Sequence, residues 1–156
     1  MGIALSTASI TVGYAIETTK GTRPTSGYTL IPDIKEVPEM NPEPEALETT
    51  TLAETEYKTY IDGLKDLGGS LAFGINFTQE LSNAWGTLVQ SSKTARADGK
   101  ETWFEIKHPD LEKSVFFPCR PVALGIPGAG ANSVWDSSVY VVPTGEPIWE
   151  TKSTEA

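Results

Sequence analysis

The chain has one cysteine and one histidine in 156 residues. A single cysteine excludes an intramolecular disulfide, so nothing in the sequence speaks for an oxidising compartment. With only Cys119 and His108 available, a zinc site of nitrogen and sulfur ligands within one chain is close to excluded. The same shortage removes the usual base from nucleophilic catalysis, which needs a Ser, Cys or Thr beside one. His108 sits at a strand end next to Pro109, where a hydrogen-bonded structural role is the simpler reading. Cys119 follows Phe116-Phe117-Pro118 and reads as a small core residue with no setting that would lower its pKa. No run approaches the ~18 apolar residues of a membrane span. The first residues lack the basic region and apolar run of a secretory signal. Gly2 and Ser6 match the loose myristoylation pattern, without the polybasic support that a stable anchor needs. The expectation is a protein made and kept in solution, not an enzyme, with no cofactor, no metal and no membrane partner.

Basic residues are scarce as well. Lys and Arg number 12 against 21 Asp and Glu, for a net charge of −9. Between Asp33 and Glu56 there are eight acids and one base, a net of −7, leaving −2 for the rest. Binding to nucleic acid through phosphates needs clustered Lys and Arg, so this distribution argues against it. An acidic surface is still compatible with a protein that must let DNA pass without adhering. The spacing of Glu36, Glu39, Glu43, Glu45 and Glu48 lacks the Asp/Asn-Gly pattern of a calcium loop, which leaves a solvated charge run. The glycine-rich stretch from Gly125 to Gly130 has no Lys-Ser/Thr after it and opens no helix, so it reads as a loop rather than a phosphate cradle.

What the sequence does have is glycine and proline, 14 and 11 of them, which favour many short strands joined by turns. The length fits one domain over 1–156, and a chain of this size buries roughly 70% of its unfolded surface. Its clearest strand is Leu71–Phe77. Leu71, Phe73, Ile75 and Phe77 fall on one face, and Ser70, Ala72, Gly74 and Asn76 on the other. A period of two is the mark of a strand with one face in a core. A single helix is expected over residues 79–97, with Thr78 as N-cap, Glu80 in the first turn and Asp98-Gly99 as the stop. Leu81, Trp85, Leu88, Val89 and Ser92 share one face of it, so it should pack on one side of a sheet. Residues 1–14 alternate loosely, as an edge strand or arm does. Tyr28–Val37 is strand-like, and Pro32, which removes a ladder donor, implies an edge or a break there. The stretch 38–57, with Pro38, Pro42 and Pro44 among its glutamates, reads as a long exposed loop, in which the threonines leave a short strand open at Glu48–Thr51. Thr102–His108 and Ser114–Cys119 form a hairpin, Val122–Ile126 another short strand, Ser133–Val142 a last strand, and Thr144–Trp149 a turn and tail. The sum is an α+β domain, mostly β: an antiparallel β-sandwich or barrel with one flanking α-helix.

Several of these segments, taken in order, resemble the major tail (tail tube) proteins of long-tailed bacteriophages with non-contractile tails. The likeness runs from Ile31-Pro32-Asp33-Ile34 and the Pro/Glu-rich stretch through Leu47-Glu48-Thr49-Thr50-Thr51-Leu52. It continues in Thr59-Tyr60-Ile61-Asp62-Gly63-Leu64-Lys65-Asp66-Leu67-Gly68, the strand Leu71–Phe77 and the helix. It ends in Ser138–Pro147, which resembles the family's last strand and its Ser/Thr-Gly-Glu-Pro turn. Some members carry a further C-terminal immunoglobulin-like domain, for which this chain is too short.

The resemblance implies the tail tube fold and a structural role in the virion tail, in a protein made in the cytoplasm of the bacterial host. Six copies would form a ring, and stacked rings would make a tube around the tape-measure protein, with terminator and tip proteins at its ends. DNA would later pass through the lumen without specific binding. On that basis Pro38, Glu43, Glu45, Tyr57, Tyr60, Ile61, Leu64 and Leu67 become candidates for contacts between subunits. Ser70, Ala72, Gly74 and Asn76 become candidates for facing the lumen. A tube protein of a contractile tail or a phage-like particle is a near alternative. A stand-alone carbohydrate-binding β-sandwich is a more distant one, which would explain exposed aromatic residues and would be monomeric.

Overall fold

The alternation of Leu71–Phe77 becomes strand β6, Leu71–Asn76, with Leu71, Phe73 and Ile75 buried on one side. The computed structural model describes residues 9–40, 46–48, 60–62, 70–126, 131 and 135–153. Within these, the other strands are β1 (Thr11–Ile16), β2 (Thr29–Leu30), β3 (Ile34–Glu36), β4 (Ala46–Glu48), β5 (Tyr60–Asp62), β7 (Thr102–Lys107), β8 (Lys113–Pro121), β9 (Asp136–Pro143) and β10 (Ile148–Thr151). The helix α1 spans Gln79–Ala97. Every pairing is antiparallel. One sheet has eight strands, ordered β2-β1-β7-β8-β9-β6-β3 with β10 joined to β8, and β4 and β5 form a separate pair.

The fold is mostly β with one helix, and its main sheet is curled into a half-barrel. The covalent chain makes the curl compulsory. β2 pairs with β1 at one margin of the sheet and β3 with β6 at the other, yet only Ile31, Pro32 and Asp33 separate them. The Ile31 N–H donates to the Val12 carbonyl of β1, and the Asp33 carbonyl accepts from the Asn76 N–H of β6. Three extended residues reach roughly 10 Å. Two margins with five strands between them can meet across so short a span only if the sheet rolls up. Pro32, which lacks an N–H, breaks the strand at the crossing, and Asp33 turns it with a left-handed φ of 59°. The tilted contact between Phe73 of β6 and Phe104 of β7, 5.9 Å between centroids, lies inside this roll.

Helix α1 covers the inner face. Thr78 caps it by accepting from the Leu81 N–H, and Thr78 Oγ1 also donates to Asp33, tying the helix start to the crossing. Leu81, Trp85, Leu88, Val89, Ser92 and Ala95 are buried. Trp85 stands edge-on to Phe104 at 86°, and its indole N–H donates to the Val122 carbonyl at 2.8 Å. These side chains, with Leu71, Phe73, Ile75, Phe117, Val139 and Val141, make up the core.

The structure departs from the sequence reading in several places. β1 is not at an edge; it lies between β2 and β7. Phe77 falls just past the end of β6 and is half-buried against Trp135, 4.5 Å between ring centroids. Residues 122–126 form no strand: only the Val122 N–H donates across, to Tyr140, and Gly125 and the nearby Pro127 weaken extended pairing beyond it. The stretch 38–57 contains a strand, since Ala46–Glu48 pairs with Tyr60–Asp62. The C-terminal segment read as a turn and tail includes β10, which pairs with the first residues of β8 where β9 no longer covers them.

Candidate assembly surface

The outer face of the β6–β9 ribbon follows directly from the strand period. With Phe73, Ile75, Val139 and Val141 turned inward, Ala72, Gly74 and Asn76 face outward beside Tyr140, Ser138 and Asp136. Ser70 and Ala72 are exposed and Asn76 is half-buried. Gly74 is different. The edge strand β3 crosses it, and a Cβ placed there would meet the Glu36 Cβ at 2.9 Å. Glycine is what allows this approach, so Gly74 is covered by Glu36 and is not open wall.

The charges on this face are mostly paired. Lys35 donates to Asp136 at 2.7 Å, and this hydrogen bond, with the Lys35 charge, holds the Asp136 carboxyl below its ordinary pKa. Arg120 lies 3.6 Å from Glu101, which also accepts from the Thr144 hydroxyl. The described part of the face therefore mixes small polar side chains with Tyr140, and carries two ion pairs and the further acid Glu36 over Gly74.

Tyr140 at 49% and Val142 at 40% are exposed apolar side chains on the β9 side of this face, and elsewhere Trp149 on β10 is 58%, Leu30 on β2 64% and Ile126 87% exposed. Val142 could have been found from the same alternation that turns Val139 and Val141 inward. The exposure of Leu30 and Ile126 has no local signal, because it depends on which strands become margins.

Of the sequence candidates for contacts, Pro38 is half-buried just past β3. Tyr60 and Ile61 lie in β5, with Ile61 opposite Leu47 and Tyr60 opposite Glu48. Glu43, Glu45, Tyr57, Leu64 and Leu67 lie outside the described residues. The β4–β5 pair brings the Leu47–Glu48 and Tyr60–Ile61 segments of the resemblance side by side, which sequence spacing alone did not reveal.

The two candidates for chemistry are both built into the scaffold. His108 is buried, and its Nδ1 accepts from the Asp110 N–H at 3.0 Å, closing the turn between β7 and β8. Burial, with Glu101 nearby, pushes the Cys119 thiol well above its ordinary pKa, the opposite of an activated nucleophile. Buried Glu17 accepts from the N–H groups of Gly21 and Glu101 and from the Trp103 indole, which holds the β1 end to the β7 start.

No protein-family model matches the chain, and no curated protein does. Solved structures do. A chain of the anti-feeding prophage baseplate, 6-fold symmetrised, superposes with a TM-score of 0.59 at 10% identity, over 97% of this chain and 98% of that one. A chain from the tail of an empty gene transfer agent particle, of C6 symmetry, gives 0.56 at 13%, over 95% and 100%. A chain in the virion of the native gene transfer agent particle gives 0.55 at 13%, again over 95% and 100%. The fold is one found in subunits of phage-like particles. At these identities the likeness is one of fold, and it spans both chains almost end to end.

Proposed function

We propose that the protein is a structural subunit of a phage or phage-like tail that assembles into stacked six-membered rings, the tube through which DNA leaves the particle. The observation that carries this reading is the near-complete overlap, 95–97% of the chain, with subunits of particles described as 6-fold or C6 symmetric. The sequence resemblance to tail tube proteins supports it independently. In this reading the protein acts by assembly, not catalysis, and its partners are copies of itself, the tape-measure protein, and terminator and tip proteins. The outer face of β6 and β9 forms the lumen wall, with Ser70, Ala72 and Asn76 among its residues. Paired basic residues and small side chains would give DNA phosphates little to hold, and Glu36 would add repulsion, so DNA slides without adhering. The β4–β5 pair and the acidic stretch before it reach neighbouring subunits.

The baseplate likeness favours one specific second reading, a ring at the tail's end rather than a repeating tube. Negative-stain electron microscopy of the concentrated protein tests both. Tubes of indefinite length support the tube and discrete single rings the baseplate position. Featureless monomers that bind an oligosaccharide saturably would overturn both in favour of a ligand-binding module.

A further inference from the structure

Strand β8 ends at Pro121, and the Val122 N–H makes one more ladder bond, to the Tyr140 carbonyl at 2.9 Å. Beyond it, residues 122–126 and 137–140 line an open cleft of 210 Å³. Backbone groups alternate in direction along a strand. Since the Tyr140 carbonyl points to the β8 side, the Ser138 N–H and C=O point the same way, into the cleft. The register agrees. The Asn76 N–H donates outward to Asp33, so Gly74 and Ser138, which face each other, exchange no ladder bonds. The cleft therefore presents a strand edge. None of its lining residues is charged, and Ile126 stands 87% exposed at the rim.

The chain itself contains a matching occupant. Its two longest stretches without a charged side chain are residues 1–16 and 121–135. Residues 122–126 of the second form one wall of the cleft. In the first, Ile3 and Leu5 alternate with Gly2, Ala4 and Ser6, the period of an added strand. We infer that the cleft takes residues 2–8 of a second copy of this chain, paired to the Ser138 edge of β9.

The second copy is required by reach. Thr11 pairs with Lys107 and Ile106 with Val115, so Thr11 is level with the start of β8. The cleft begins past its other end, about 27 Å away along the strand. Residues 4–8 lie within about 24 Å of Thr11 even when fully extended, so they cannot lie in their own cleft. The contact joins opposite ends of two copies, and such a head-to-tail contact repeats in one direction. It rests on the reading of the protein as an assembling subunit, and adds to it a stacking contact.

The test is fluorescence anisotropy of a labelled peptide of residues 1–10, titrated with a chain lacking residues 2–8. Saturable binding is expected, with none for a scrambled peptide. Ile126→Asp, at an exposed position, should weaken it about tenfold or more with the melting temperature unchanged. Ser138→Pro, which removes an N–H that β6 does not use, should do the same. No binding, or equal binding by Ile126→Asp, overturns the inference. Electron microscopy separates this from the wider reading. Normal stacking by the chain lacking residues 2–8 sinks the arm contact alone, whereas a full chain that never forms rings sinks the assembly reading.

Discussion

At the scale of single residues, Trp85 joins packing and hydrogen bonding at one point. It is 1% exposed, and its indole satisfies the Val122 carbonyl. Trp85→Ala leaves a large cavity and an unpaired acceptor, so the subunit should lose about 3–5 kcal/mol of stability. Urea denaturation with an unchanged midpoint would contradict this placement. Tyr28 offers a second test. It packs on Phe116, 5.6 Å between centroids, and its hydroxyl donates to the Pro24 carbonyl. Burial raises its pKa from 10.0 to about 12, against the lowering influence of Arg23. A raised pKa means that the neutral form is favoured in the folded state. Its contribution is therefore complete below pH 10 and lost as pH rises towards about 12. Partial exposure screens the effect. Thermal melts from pH 9 to 11.5 should show a shallower alkaline decline for Tyr28→Phe than for the parent chain, and parallel curves would refute it.

At the scale of elements, the helix was legible almost to the residue. Its period, its Thr78 cap and its Asp98-Gly99 stop are local chemistry, and Gly99 takes the left-handed φ of 75° that a helix end favours. The strand β6 was equally readable, since its alternation is uninterrupted. Strands β2 and β3 are a different case. Tyr28–Val37 reads as one broken strand, and no local pattern says that its halves close opposite margins of a rolled sheet. Thr78 stands where helix and crossing meet, capping Leu81 while donating to Asp33. Thr78→Ala should cost about 1 kcal/mol for the cap alone. Thr78→Ser keeps the hydroxyl and should recover most of it in the same denaturation measurement.

At the scale of the whole molecule, the proposed assembly raises the question of which parts build the fold and which would join copies. Met40 packs against the core, so the removable stretch begins after it. Deleting residues 41–55 takes out β4 and Glu43, Glu45, Glu48 and Glu54, and leaves in place every core residue among the described ones. The variant should stay folded by circular dichroism, with a sharp melt, yet form no tubes or rings. Normal tubes from it would remove this stretch from the assembly contacts.

By itself the sequence determined the fold class, the helix and its caps, the half-buried strand at Leu71–Asn76 and the β7–β8 hairpin, because each depends on period and turn chemistry within a few residues. It also carried the resemblance that first pointed to a tail. Only the tertiary structure decided that Gly74 lies beneath Glu36, that β10 completes the edge of β8, and that Lys35 meets Asp136 and Arg120 meets Glu101 on the outer face. It alone decided that Ile126 and Ser138 border an open strand edge. Each of these depends on residues distant in sequence meeting across a sheet that rolls until three residues join its margins, and no local pattern contains that closure.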